Sequence, residues 1–160
     1  MGLFQVDIEG ESEIIAAWGQ AYGILKRGAK TAVSKAVKEG AQEARDKHTF
    51  RNRTRTRTLE KSIEGFVVGW VTDETYRGVI RAGAKYASHV EYPTKPHEIV
   101  ARRARWLSFK WKGEWVHFKY VRHPGTKGQP FMHLAYFKAE RVLQREMEIA
   151  IQKAQDRLNR

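Results

Sequence analysis

Histidines and carboxylates are the residues of this chain that could carry chemistry, and one short segment holds several of them. His89 and Glu91 are separated by one residue, and His97 follows a few positions later. Imidazole and carboxylate groups are common zinc ligands, but this spacing matches neither a helix-borne HExxH site nor a zinc finger. Surface or interface histidines are the simpler interpretation, so we expect no metal site.

The usual catalytic signatures are also missing from the sequence. It contains no GxSxG, no P-loop and no GxGxxG after a strand. It has no cysteine, which excludes disulfides and thiolate zinc sites, and its aspartates are too scattered to suggest a magnesium cluster. We therefore expect a protein that is not an enzyme, with no catalytic residue and no cofactor. A small basic nuclease or toxin is a less favoured function than either a structural or a nucleic-acid-binding one.

The positive charge of the chain is concentrated in its middle. The net charge is +12 over 160 residues, and residues 51–130 hold 17 Lys and Arg against 7 Asp and Glu. Such a region can face nucleic acid or an acidic protein, and charge alone does not choose between them. No apolar run approaches the roughly 18 residues of a membrane span, and the N-terminus is not typical of a signal peptide. We expect a protein made in a cytoplasm, without membrane contact.

An alternating Arg and Thr segment opens this basic region. Alternation would place Arg51, Arg53, Arg55 and Arg57 on one side of an extended chain. We favour a solvated, flexible loop over about residues 49–60. The alternative is an arm that becomes ordered against phosphate or an acidic protein surface.

Long amphipathic helices are predicted at both ends of the chain. The first begins at the N-cap Ser12 and runs to near His48, with four internal glycines that predict a bend or a break. The last has Pro130 in its first turn and an apolar stripe from Phe131 to Leu158. Between them, Ser62–Thr72 and Tyr76–Ala82 predict a hairpin with Phe66, Val68 and Trp70 on the face of Ile80.

The second predicted hairpin has a clearer register. Trp106–Trp111 and Glu114–Val121 flank the turn Lys112-Gly113, which pairs Trp111 with Glu114, Phe109 with Val116 and Leu107 with Phe118. The apolar face, which we expect to be core, then carries Leu107, Phe109, Trp111, Val116, Phe118 and Tyr120. The opposite face carries Ser108, Lys110, His117 and Lys119 together with Trp106 and Trp115.

This order of elements predicts one α+β domain over residues 1–160. Its antiparallel sheet of about four or five strands would pack against the long N-terminal helix and the C-terminal helix. Trp106, Trp115, Lys110 and Lys119 are candidate contacts to a neighbouring subunit, because aromatic residues are enriched at interfaces. The alternative is a stacking-and-phosphate surface for single-stranded nucleic acid that also uses the arginines at 102, 103 and 105.

Two segments resemble a family of small tail-completion, or minor tail, proteins of long-tailed bacteriophages. Residues 84–99 read AKYASHVEYPTKPHEI and are similar to the family's "YA..vE.GT..H.I" stretch. Residues 121–135 read VRHPGTKGQPFMHLA and are similar to its "HPGT...PF...A" stretch, which opens the last helix. The segment before Ile63 is similar to the family's "TG.L..SI", and the match spans roughly residues 50–140. Pro93 departs from the pattern, because the family usually has glycine there and proline fixes φ near −65°.

The resemblance implies a structural virion protein that completes or terminates the tail, or joins it to the head and neck. It implies a ring, most simply a hexamer, whose partners are other tail or neck proteins, with packaged DNA as a further contact. The motif residues are then turn formers rather than catalytic groups: His123, Pro124, Gly125 and Thr126, followed by Pro130 and Phe131. A basic nucleic-acid-binding module remains the alternative function.

Overall fold

The computed structural model describes residues 11–47 and 57–159, and it confirms a mixture of helices and antiparallel strands with a long helix at each end. Ten elements follow one another within these described residues. They are α1 (Glu11–Lys47), α2 (Thr58–Ser62), β1 (Ile63–Trp70), β2 (Tyr76–Ala82), α3 (Ala87–Glu91), β3 (His97–Val100), β4 (Leu107–Trp111), β5 (Glu114–Phe118), β6 (Tyr120–His123) and α4 (Phe131–Leu158).

The prediction of one sheet with four or five strands is wrong. The described strands form three separate antiparallel pairs, β1 with β2, β3 with β6, and β4 with β5. The predicted strand Glu114–Val121 ends at Phe118, and the chain resumes as β6, which pairs with β3 instead of continuing the hairpin. Alternation of side chains continues through Lys119, so the sequence pattern could not reveal this change of pairing partner.

The chain divides into two compact units. The helical unit comprises Met1–Ala84 and Phe131–Arg160, and the hairpin unit comprises Lys85–Pro130. In the helical unit, α1 is continuous from Glu11 to Lys47, so its glycines do not break it. The helices α1 and α4 are antiparallel, since Gln20 contacts Arg157 near one end and Gly40 approaches Ala135 near the other.

Small residues allow α1 and α4 to pack closely. The residues buried in these two helices are mainly alanines, at positions 21, 32, 36, 41, 44, 135, 150 and 154. At the margin of the contact, the Lys35 ammonium donates a hydrogen bond to Glu146 at 2.7 Å and lowers the pKa of that carboxyl below its ordinary value. Because this folded-state pKa is depressed, the pair contributes stability at neutral pH that is lost as the pH falls through that pKa.

Gly28 provides a test of this close packing. A Cβ added at Gly28 would overlap the Ala150 side chain, whereas a Cβ at Gly19 would meet nothing within 4 Å. We expect Gly28→Ala to cost about 1–3 kcal/mol because the helices must move apart. The control Gly19→Ala should stabilise the protein by up to about 1 kcal/mol through helix propensity. Urea denaturation of both variants would check the signs, and a stabilising Gly28→Ala would contradict the close helix contact.

The pair β1–β2 lies on α1 in a register that differs from the predicted one. Gly65 is opposite Ile80 and Phe66 is opposite Val79, with an irregularity at Val68. The predicted face was therefore wrong, because Phe66 does not share the face of Ile80. Gly65 and Gly78 lie on the inner face of the pair, against Val37 of α1. A Cβ added at either glycine would clash with the Val37 side chain.

The predicted flexible loop ends earlier than expected. Its residues 49–56 lie outside the described residues, but Thr58–Ser62 forms the short helix α2 with Leu59 buried. The Ser62 hydroxyl donates a hydrogen bond to the Leu59 carbonyl at 2.7 Å, and Arg57 precedes the helix in the left-handed region with φ 47°. Residues 58–60 therefore belong to the folded domain rather than to a mobile arm.

Candidate assembly surfaces

The hairpin β4–β5 has the predicted register. Leu107 pairs with Phe118, Phe109 with Val116, and Trp111 with Glu114. The turn residues Lys112 and Gly113 have φ values of 51° and 94°. A two-residue hairpin turn with positive φ at both positions matches the right-handed twist of its strands. The Lys112-Gly113 dipeptide therefore predicted the position of the turn and the register of the hairpin correctly.

One face of this hairpin combines cations with aromatic rings. The Lys110 Nζ lies 5.7 Å from the ring centroid of Trp115, and the Lys119 Nζ lies 5.7 Å from that of Trp106. Between these pairs, the Ser108 hydroxyl and the His117 Nδ1 are 2.8 Å apart. Lys110 and Lys119 are exposed, as predicted, and so are both tryptophans. The sequence-predicted residues Trp106, Trp115, Lys110 and Lys119 therefore form one surface.

The opposite face is less buried than expected. Leu107, Phe109 and Val116 are half-buried, but Trp111 is 61% exposed and Phe118 is 48% exposed. Tyr120, which was predicted to share this face, lies in β6 and is also exposed. The prediction that Phe118 is a core residue is therefore wrong. A two-stranded hairpin with aromatic side chains exposed on both faces is a candidate interaction surface.

Residues 90–99 contact residues 120–129 in the hairpin unit. Thr94 and Thr126 exchange backbone hydrogen bonds at 3.0 and 3.3 Å, and their hydroxyls are 2.9 Å apart. The Gln129 backbone N–H donates a hydrogen bond to the Val90 carbonyl at 2.7 Å, and β3 pairs with β6 beside this contact. These two stretches thus pair with each other, although some 30 residues separate them in sequence.

Glycines make this contact between segments possible. Gly125 has φ 86°, and a Cβ there would overlap the Thr94 carbonyl oxygen. A Cβ at Gly128 would lie 2.7 Å from the Pro93 nitrogen. Gly125 also donates its amide hydrogen to the His123 Nδ1 at 3.1 Å. The sequence His123-Pro124-Gly125-Thr126 is therefore a turn that needs glycine both for its dihedral angle and for lack of a side chain.

The histidines of this region have structural contacts. The rings of His97 and His123 are 5.1 Å apart across the β3–β6 pair, and the His97 Nδ1 lies 2.8 Å from the Lys95 carbonyl. Among residues 11–47 and 57–159, no three His, Asp or Glu side chains group as metal ligands would. No helix in that part of the chain is long and apolar enough to cross a membrane.

The other predicted site residues do not belong to β4 or β5. Arg51, Arg53 and Arg55 lie outside the described residues, and Arg57 has its Nε 3.9 Å from the Glu60 carboxylate. Pro130 ends the hairpin unit, whereas Phe131 begins α4 and is buried. Sequence reasoning did not single out Thr94 and Gly128. Thr94 matches the threonine of the first motif, whereas Gly128 falls at an unspecified position of the second.

Comparisons of the chain with family models, with curated proteins and with solved structures gave no match.

Proposed function

We propose that this chain is a structural virion protein of a long-tailed bacteriophage, which completes or terminates the tail or joins it to the head and neck. The observation that carries the proposal is the β4–β5 hairpin, which exposes aromatic residues on both faces. In the described chain it pairs with no third strand. Such a surface suits an assembly subunit, because a neighbouring subunit would bury it.

A ring is the assembly that this surface supports. A closed ring requires heterologous contacts, in which one patch of a subunit meets a different patch of the next. The hairpin differs from the rest of the chain in its density of tryptophan and lysine, so it offers one patch of such a pair. The motif segments support the same proposal, since they act as turn formers that hold the hairpin unit together. The protein so proposed is not an enzyme.

Disruption of the reading frame would test the proposal. In the phage genome that encodes the chain, we expect loss of the frame to give filled heads and tails that do not join, or tails with faulty ends. The wild-type frame should restore infectious particles in trans. The double variant Trp111→Ser, Phe118→Ser should not restore them, while the control Phe66→Ser, an exposed aromatic residue of β1, should. Normal particles without the frame would contradict the proposal.

A nucleic-acid-binding module is the second candidate, favoured by the Lys and Trp pairs of the hairpin. The hairpin unit holds 10 Lys and Arg against 3 Asp and Glu. Exposed tryptophans beside cations can stack on bases while the cations contact phosphates, and each stacked base contributes about 1–3 kcal/mol.

We expect only weak, sequence-indifferent binding of single-stranded DNA at physiological salt, because a subunit interface needs no nucleic-acid ligand. The measurement is a titration at several salt concentrations, since neutralised phosphates make affinity fall steeply with salt. The matched variants are Trp115→Ala on the lysine-bearing face and Trp111→Ala on the other. Tight binding that only Trp115→Ala weakens, or that is lost when Arg51, Arg53, Arg55 and Arg57 are replaced, would favour the second candidate.

A further inference from the structure

An apolar groove runs beside β2 in the helical unit. Its volume is about 620 Å³, and its lining includes Val33 and Val37 of α1, Gly78 and Ile80 of β2, and Ala139 and Leu143 of α4. The groove is therefore bounded by the edge of β2 on one side and by α4 on the other. Its apolar surface suits apolar side chains of an additional element.

The edge of β2 beside this groove is open in the described chain. Within residues 11–47 and 57–159, β2 pairs with β1 on one side and with no strand on the other. An open edge offers backbone donors and acceptors to an added strand. Such a strand would direct every second side chain into the groove and the others to the outer face, where β2 carries Arg77 and Arg81.

The first residues of the sequence have the pattern that this site requires. Phe4, Val6 and Ile8 alternate with the polar residues Gln5, Asp7 and Glu9. Three apolar side chains would enter the groove, and the two carboxylates would lie on the outer face near Arg77. Arg81 of that face already pairs with Glu64 of β1 at 2.8 Å. Alternation, and charge at Arg77, therefore fit the same strand.

The chain cannot place this segment in its own groove. Gly78 lies against Val33 and Val37, and Val33 is about 33 Å along α1 from Glu11 at a rise of 1.5 Å per residue. Val6 precedes Glu11 by five residues, which span at most about 18 Å when fully extended. This segment can therefore occupy the groove only of another copy.

We propose that residues 3–9 of one copy add as a strand to the edge of β2 in the next copy. The contact joins the N-terminus of one subunit to a different surface of its neighbour, so it is heterologous and can close a ring. The inference deepens the proposed ring assembly, and it names the two surfaces that meet.

Disulfide trapping in the purified full-length chain would test this contact. The chain has no cysteine, so a Val6→Cys chain can be mixed with an Ala139→Cys chain and oxidised mildly at high protein concentration. We expect a mixed disulfide dimer, because a bridge forms only when the two Cα atoms approach within about 7 Å. A Glu148→Cys chain, with the thiol elsewhere on α4, should not cross-link above the background of random collision.

A charge in the groove should abolish the cross-link. Leu143→Glu in the Ala139→Cys chain places a carboxylate on the groove wall, while Ile151→Glu is a matched exposed position of the same helix outside the groove. We expect loss of the dimer with the first and retention with the second. The inference would be overturned by equal cross-linking at Glu148→Cys or by no cross-link at Ala139→Cys. It would also be overturned by an intramolecular bridge in a single chain that carries both Val6→Cys and Ala139→Cys. Because this assay needs no virion, its failure beside a positive frame-disruption result would leave the proposed function standing.

Discussion

Replacement of Gly125 by alanine is expected to cost about 2–5 kcal/mol of stability in the hairpin unit. Gly125 has φ 86°, a conformation that costs an ordinary residue about 1–2 kcal/mol. An alanine Cβ would also overlap the Thr94 carbonyl oxygen, which is backbone and cannot turn aside as a flexible side chain could. Relief of that overlap requires Thr94 and Thr126 to separate, so the hydrogen bonds between the two motif segments would be lost.

Gly113→Ala is the matched control for this prediction. Gly113 also has a positive φ, 94°, but a Cβ there meets nothing within 4 Å. We expect it to cost only about 1–2 kcal/mol, from the dihedral angle alone. Tryptophan fluorescence during urea denaturation, measured in a Trp18→Phe, Trp70→Phe background, reports on this unit, which holds Trp106, Trp111 and Trp115. Equal losses in the two variants would show that the contact with Thr94 does not stabilise the turn.

Phe131→Ala is expected to cost about 3–5 kcal/mol, the range for a large aromatic residue removed from a well-packed interior. Phe131 is 1% exposed at the first position of α4, and Ala135 one turn later is also buried. These are the phenylalanine and the final alanine of the second motif. The motif therefore anchors the start of the last helix, and loss of the ring would leave a cavity there.

Phe137→Ala separates this effect from the general loss of an aromatic ring. Phe137 belongs to the same helix but is 42% exposed, and its ring contacts are with His133 and Tyr136 of α4 itself. Its removal should cost less than about 1 kcal/mol. Thermal and urea denaturation would compare the two variants, and a loss below about 1 kcal/mol for Phe131→Ala would contradict its role as an anchor.

Local signals were sufficient for part of the fold. The helical spacing of apolar residues predicted α1 and α4 nearly to their ends, and Lys112-Gly113 fixed the register of β4–β5 because a two-residue turn leaves no freedom. The first hairpin failed because a bulge at Val68 shifts the pairing by one residue, and a shift of one residue exchanges the faces. A bulge leaves no mark in an alternating pattern.

Burial and partner choice could not be predicted from alternation. Phe118 and Trp111 alternate like core residues but are exposed, because whether a face is covered depends on what packs against it. Likewise, Tyr120 follows the hairpin pattern while its strand pairs with β3. The candidate surface was predicted better, since Trp106, Lys110, Trp115 and Lys119 share one face of a correctly registered hairpin. The contact of Thr94 with Thr126 could not be predicted from either motif alone, because the chain between them must reverse direction, as it does in the β4–β5 hairpin.

We propose that this chain is a structural protein of the virion that completes the tail or joins it to the head and neck. Gold-labelled antibody against the chain, applied to purified particles and viewed by electron microscopy, would test that claim most directly. We predict label at the head-proximal end of the tail in intact particles, with a copy number per particle that fits a closed ring. A chain that is present in infected cells but absent from purified particles would contradict the account.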